Sequence, residues 1–187
     1  SINPTRKGYT FVGWYTDSSC SLNSYFELGD TMPAYNGTLY AKWSLINYTI
    51  TYHLDLRTTN NASNPTSYNI LTETFTLLNP TVSHGTFDGW YLDAEYTEPI
   101  TQITKGSVGN LDIYAKETAT IYTITFVTNG GNSISPISGA YGDAVTIPIP
   151  SKGNSVFVGW CLDQALTQSA GTISTMPGKD IPLYAKW

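Results

Sequence analysis

Apolar and polar residues alternate with a period of two in short runs along the chain. Tyr122-Thr123-Ile124-Thr125-Phe126 puts every second side chain on one face, the pattern of a half-buried strand. Tyr48, Ile50 and Tyr52 repeat it. Leu183 and Ala185 alternate with Tyr184 and Lys186, predicting a strand with one buried face. Asn129-Gly130-Gly131 supplies residues that tolerate positive φ and predicts a hairpin turn. A second strand is expected over 134–141, with a turn at Tyr141-Gly142-Asp143 leading to Val145 and Ile147. The pattern predicts a mostly β chain.

The runs recur. Gly-Tyr-Thr-Phe-Val-Gly-Trp at 8–14 returns as Gly-Thr-Phe-Asp-Gly-Trp at 85–90 and Ser-Val-Phe-Val-Gly-Trp at 155–160. Each is followed by a second landmark, Leu-Tyr-Ala-Lys-Trp at 39–43 and 183–187 and Ile-Tyr-Ala-Lys-Glu at 113–117. Trp14 precedes Lys42 by 28 residues; Trp90 and Trp160 precede Lys116 and Lys186 by 26. Tyr-Thr-Ile-Thr opens two copies, at 48–51 and 122–125, and a proline stands ten residues before each tryptophan (Pro4, Pro80, Pro150). The chain therefore divides into a partial module at 1–43 and complete modules at 47–117 and 121–187. Bridges at 44–47 and 118–120 are too short for modules to tumble freely.

Strict alternation would put Phe and Trp of the aromatic phrase on opposite faces. A β-bulge at Gly13, Gly89 and Gly159 brings them together, leaving Val12, Asp88 and Val158 outward. The predicted core is Phe11, Trp14 and Leu39; Phe87, Trp90 and Ile113; Phe157, Trp160 and Leu183. Modules of roughly 70 residues have marginal cores, and large aromatics supply much of the buried area. The phrase recurs because each copy solves the same packing problem.

Composition narrows function. Charged residues are 12% of the chain, hydrophobic residues 41%, the net charge is −5 and the pI about 4.8. No cluster of Lys and Arg offers a footprint for nucleic acid. No apolar run approaches the ~20 residues of a membrane span, so no membrane insertion is expected. The first residues lack the apolar stretch of an export signal, so an exported protein would carry this chain as an internal piece.

Candidate chemistry is thin. His53 and His84 both fall in the second copy, whereas a site carried by the repeat would recur. No zinc, nucleophile-elbow or phosphate-loop motif is present, and neither catalytic residues nor cofactors or metals are expected. Cys20 and Cys161 occupy different places in their copies and read as small apolar residues. Asp17, Asp93 and Asp163 each follow a tryptophan by three and read as Asx-type turns, with calcium the sharper alternative. Lys42, Lys116 and Lys186 read as solvent-facing guards of the last strand, with an isopeptide crosslink as the alternative. Asn36, Asn47 and Asn61 open glycosylation sequons.

Taken together, Tyr-Thr-Ile-Thr-Phe, Asn-Gly-Gly, Gly-Tyr-Thr-Phe-Val-Gly-Trp-Tyr and Leu-Tyr-Ala-Lys-Trp at these spacings resemble the Listeria–Bacteroides repeat of the internalin B-repeat type. The resemblance covers nearly the whole chain and is looser in the second copy, where residues 53–65 replace the Asn-Gly-Gly turn and Glu117 the last tryptophan. It implies tandem β-grasp-like modules, mostly β or small α+β with little helix, in secreted or wall-attached bacterial proteins. It implies no catalytic residues. Two roles compete: a stalk or fibre spacer presenting adhesive parts, and an adhesin module for a host glycan, mucin or protein. Adjacent repeats or neighbouring copies are the expected partners. The first copy lacks a Tyr-Thr-Ile-Thr strand, so strand completion by a neighbouring copy is expected, with packing on the second copy as the alternative.

Overall fold

The computed structural model describes residues 3–27, 29 and 36–187. Within the first repeat, strands β1 (Tyr9–Tyr15), β2 (Tyr25–Phe26) and β3 (Tyr40–Leu45) form an antiparallel sheet in the order β2-β1-β3. The second contains β4 (Tyr48–His53), β5 (Thr58–Thr59), β6 (Ser67–Tyr68), β7 (Phe75–Thr76), β8 (Thr81–Val82), β9 (Gly85–Tyr91), β10 (Pro99–Ile100), β11 (Gln102–Ile103) and β12 (Leu111–Ala119). The third contains β13 (Ile121–Val127), β14 (Ile137–Ala140), β15 (Gly159–Cys161) and β16 (Ile181–Lys186). One 3-10 turn, Leu22–Ser24, is the helical element among the described residues.

Both complete repeats join their first and last strands in parallel, as a β-grasp module does. Ile113 of β12 stands opposite Tyr52 of β4, and Leu183 of β16 opposite Phe126 of β13. The sheets read β10-β9-β12-β4-β6 and β14-β13-β16-β15, so the Tyr-Ala-Lys strand is central in each. A central strand presents no edge, which corrects the reading of Lys116 and Lys186 as edge guards.

The bulge forms at the glycine. Phe11 faces Trp43 and Gly13 faces Lys42, leaving Val12 as the extra residue. Gly13, Gly89 and Gly159 hold φ of 159°, 150° and 154°, a region open mainly to glycine. Phe11 meets Trp14, and Phe157 meets Trp160, edge to face with centroids 5.4 Å apart. Val12, Asp88 and Val158 are exposed. At Asn129 and Gly130 the chain turns with φ of 49° and 91°, closed by Gly131 N–H on the Thr128 carbonyl. The strand that follows begins only at Ile137. Val145 and Ile147 make no strand; an isolated bridge pairs Ala144 with Thr175.

Trp90 and Trp160 are 3% and 8% exposed, and Ile113 and Leu183 are fully buried. Each of these tryptophans donates its indole N–H to the carbonyl twelve residues earlier, Leu78 at 3.2 Å and Pro148 at 2.9 Å. Phe11, Trp14, Leu39, Phe87 and Phe157, expected in the core, stand half-buried instead. Phe11 and Phe157 lie at the core margin, edge-on to tryptophan. In the first repeat β3 has a described strand on one side only, so Trp14 and Leu39 are covered less than their counterparts. Tyr15, not foreseen, is the buried aromatic of that sheet.

The chain falls into two compact units: Ser1–Asp55, Thr59–Pro80 and Gly89–Lys116; and Leu56–Thr58, Thr81–Asp88 and Glu117–Trp187. Each unit therefore contains residues from two successive repeats.

Candidate functional site

Two constructions recur, and both are built from backbone carbonyls that sequence motifs do not display. The first is a turn after the Gly-Trp strand. Asp93 takes the backbone N–H groups of Thr97 (3.0 Å) and Glu98 (2.6 Å). Asp163 takes those of Thr167 and Gln168, with the Thr167 hydroxyl at 2.7 Å. Asp17 takes the hydroxyls of Ser19 and Ser21 and the Ser19 N–H. These bonds hold all three carboxyl groups below the usual aspartate range. The leading cause is the Ser19 hydroxyl for Asp17, the Thr97 N–H for Asp93 and the Thr167 hydroxyl for Asp163. The Asx reading accounts for these acids, whose lone pairs are spent on their own turns.

Each turn ends on a residue in the left-handed region, Cys20 (φ 49°), Tyr96 (57°) and Leu166 (58°), six positions after its tryptophan. Lys42 donates to the Cys20 carbonyl at 3.1 Å and Lys186 to the Leu166 carbonyl at 3.2 Å. Lys116 lies instead over the rings of Tyr91 and Tyr96, at 5.6 and 5.7 Å. The lysine thus ties the last strand to the strained turn. Cysteine, tyrosine and leucine share no chemistry, so the position left no trace in the sequence. Cys20 and Cys161 are free thiols.

The second construction is the joint between successive repeats. Six residues before the tryptophan the chain turns tightly, with Gly8 (φ 76°) or His84 (φ 57°) at the apex. The apex carbonyl accepts an N–H from the bridge to the next repeat: Ile46 on Gly8 at 3.0 Å, Thr120 on His84 at 2.8 Å. Ile46 and Thr120 both lie four residues past the recurrent lysine. The next repeat then covers the apex with a residue from one position. Tyr68 and Gly139 pair with the leading tyrosines Tyr48 and Tyr122, and two residues on stand Ile70 and Tyr141. A Cβ on Gly8 would come within 2.7–2.9 Å of Ile70. The Tyr141 ring lies 4.2 Å from the His84 ring, whose Nδ1 is 3.0 Å from the Tyr122 hydroxyl. Gly178 leaves room for that imidazole, since a Cβ there would fall 2.3 Å from it.

Glu117 belongs to the same place. In the third repeat Trp187 packs on Phe157, donates to the Thr128 carbonyl at 2.9 Å and lies over Gly131. The second repeat has Glu117 for that ring and Arg57 for that glycine, each seven past its strand isoleucine (Ile50, Ile124). Arg57 Nε meets Glu117 Oε1 at 2.7 Å with the side chains 12% and 7% exposed, and the Thr58 hydroxyl donates to Oε2. Two departures from the repeat pattern are therefore one exchange, an aromatic contact for an ion pair. Asp88, outward from the bulge, accepts the Thr118 hydroxyl of the bridge at 2.6 Å.

His53 contacts Asp112 at 2.7 Å and stacks on Tyr114, at an exposed place. No group of three His, Cys, Asp or Glu that could hold a metal ion occurs among the described residues. No helix among them is long and apolar enough to cross a membrane.

The model of the Listeria-Bacteroides repeat domain matches residues 1–42, 48–116 and 122–186. A protein of Evansella cellulosilytica named as a Gly-rich membrane protein is 32% identical over 97% of this chain and 21% of its own length. A second from that organism, named as a membrane protein, is 32% identical over 80% of this chain and 22% of its own. Internalin H of Listeria monocytogenes is 35% identical over 62% of this chain and 20% of its own length. The chain thus spans about a fifth of each of these relatives.

Proposed function

Since the chain belongs to the Listeria-Bacteroides repeat domain family, we propose that it is a non-catalytic spacer in a bacterial cell-envelope protein, holding other parts at the surface on semi-rigid repeats. The observation that carries this reading is the joint. Twice the apex carbonyl of one repeat is hydrogen-bonded by the bridge and capped by the same position of the next repeat. Such closure restricts bending where a plain linker would leave it free. An outer-surface location is supported by relatives whose names mark a membrane protein and an internalin. Backbone ¹⁵N relaxation tests the spacer reading. The bridge amides of Ile46 and Thr120, each bonded to an apex carbonyl, should be as ordered as the strands beside them, and order parameters typical of a free linker there would refute it.

One observation favours the adhesin alternative. The third repeat holds an open cleft of about 330 Å³ over Trp160 and Leu183, walled by Ile147 and Ile173. Glycan or mucin binding that is lost on substituting Ile147 would favour that reading. No binding across a broad panel would leave the spacer.

A further inference from the structure

We infer that the cleft of the third repeat takes an extended peptide, which adds as a strand where two segments of the repeat have parted and seats an apolar side chain on Trp160 and Leu183. The second repeat shows the same place closed. There β7 and β11 pair, with Phe75 opposite Ile103, and the Leu77 N–H reaches the Thr101 carbonyl at 2.9 Å. Leu77 and Ile103 are both buried. In the third repeat the ladder begins and stops. Ala144 bridges Thr175, and the Val145 N–H meets the Ser174 carbonyl at 3.0 Å. That register would next set Ile147 opposite Thr172. Among the described residues, neither the N–H nor the carbonyl of Ile147 or Thr172 has a hydrogen-bond partner, and both residues line the cleft.

The opening is written in the sequence. Counted from the tryptophan, Val145 stands where the second repeat has Phe75, Ala170 where it has Ile100, and Gly171 where it has Thr101. All three exchanges remove side-chain volume from the facing segments. Gly171 also takes φ of 61°, which bends its segment, and a Cβ there would meet nothing within 4 Å. Ile147 and Ile173, counterparts of the buried Leu77 and Ile103, are left half-buried.

The chemistry of the lining selects the occupant. A volume of about 330 Å³ lies at the small end of ligand sites, room for a few side chains and not for a folded partner. No charged side chain lines it; its polar groups are the hydroxyls of Thr146, Thr172 and Ser174 and the backbone groups of the parted ladder. A charged ligand would find no counter-ion. A sugar would call for amide or carboxylate side chains aimed at its hydroxyls, and none is in the lining. An extended peptide presents N–H and C=O groups at ladder spacing, the complement of Ile147 and Thr172, and turns every second side chain toward the apolar floor. The inference rests on the cleft that favours the adhesin alternative and gives that reading a class of ligand. Its failure leaves the spacer reading, tested at the Ile46 and Thr120 amides, untouched.

The test titrates the 187-residue chain with a blocked peptide, Ser-Thr-Val-Thr-Leu-Thr-Ser, and with two versions N-methylated at alternate residues, one for each edge of the strand. The readout is the ¹H–¹⁵N signals of the Ile147 and Thr172 amides and the Trp160 indole. At about 1 mM the parent peptide should shift these signals and slow exchange at Ile147, and at least one methylated version should bind about fivefold more weakly or worse. Val145→Phe combined with Ala170→Ile, which gives the third repeat the residues of the second, should abolish the shifts. If that variant does not fold, the methylated peptides still decide. No shift with the parent peptide, equal binding of all three peptides, or undiminished binding to the folded double variant would each overturn the proposal. So would a disaccharide that shifts the same signals at lower concentration, because it would give the cleft to a glycan.

Discussion

Glu117→Ala is the most informative change in the second joint. It removes one member of an ion pair whose partners are 12% and 7% exposed. The Arg57 guanidinium would remain largely buried without its carboxylate, and Thr58, itself buried, would lose its acceptor. Removing one member of a buried pair costs about 3–5 kcal/mol where the other is left unpaired. Arg57 keeps other partners, the Tyr141 carbonyl at 3.5 Å among them, and its remaining exposure admits water, so a loss at the low end, about 3 kcal/mol, is expected. That corresponds to more than about a hundredfold faster exchange through opening of this region. Native-state exchange of amides in Leu56–Thr58 and Thr81–Asp88 reads the loss locally. Glu117→Trp alone should do no better, because Arg57 stands where the third repeat has Gly131 beneath its ring. Glu117→Trp combined with Arg57→Gly should recover much of the loss by installing the other repeat's solution. A loss below about 1 kcal/mol for Glu117→Ala, or a double variant worse than either single one, would refute the exchange argument.

Trp160→Ala removes a ring 8% exposed and its bond to Pro148, and should cost about 3–5 kcal/mol in urea unfolding. Gly159→Ala meets no atom within 4 Å yet holds φ at 154°; a backbone cost of about 1–3 kcal/mol in the same assay isolates the bulge from packing. Asp163 has a folded pKa below the unfolded value of about 3.9, so its stabilisation is complete above that value and is lost as pH falls through the lower folded value. Asp163→Asn should therefore lower the melting temperature at pH 7, and the gap to the parent should narrow at pH 3.

Much of the fold could be read directly. Period-two runs at Tyr122–Phe126 and Leu183–Lys186 mark strands because one face of each must be buried, and the misfit of Phe11 and Trp14 to that period revealed the bulge. What escaped reading depends on the backbone. Val145 and Ile147 alternate like a strand but are held by one bridge and one hydrogen bond, Val145 N–H to Ser174. The lysine's acceptor is a carbonyl, which any residue type supplies, so Cys20 and Leu166 gave no signal. The apex of the joint is Gly8 in one repeat and His84 in the next, because a left-handed φ and a free carbonyl are required and the side chain is not. A partner was nonetheless visible in outline. Glu117 stood out as the one departure from Tyr-Ala-Lys-Trp, and Arg57 lay in the one stretch without Asn-Gly-Gly.

The two joints share a backbone bond but not a packing solution, so repeats that look interchangeable should be order-specific. Gly8 permits the approach of Ile70: a Cβ there would stand 2.7–2.9 Å from three of its carbons, far inside contact distance. At His84 the crowding has the opposite sense, with a large apex ring received by Gly178 and faced by Tyr141. Moving the large apex into the first joint, Gly8→His, should therefore break it, while Ile70→Ala should open space at small cost in burial. Overpacking of this kind costs about 1–3 kcal/mol. The double variant should regain part of that, giving a favourable coupling of at least about 0.5 kcal/mol in a thermodynamic cycle. The Ile46 amide, bonded to the Gly8 carbonyl, reports the joint by exchange. If Gly8→His leaves Ile46 protected, or if the two changes are additive, the apex is not read by the following repeat and the repeats are interchangeable after all.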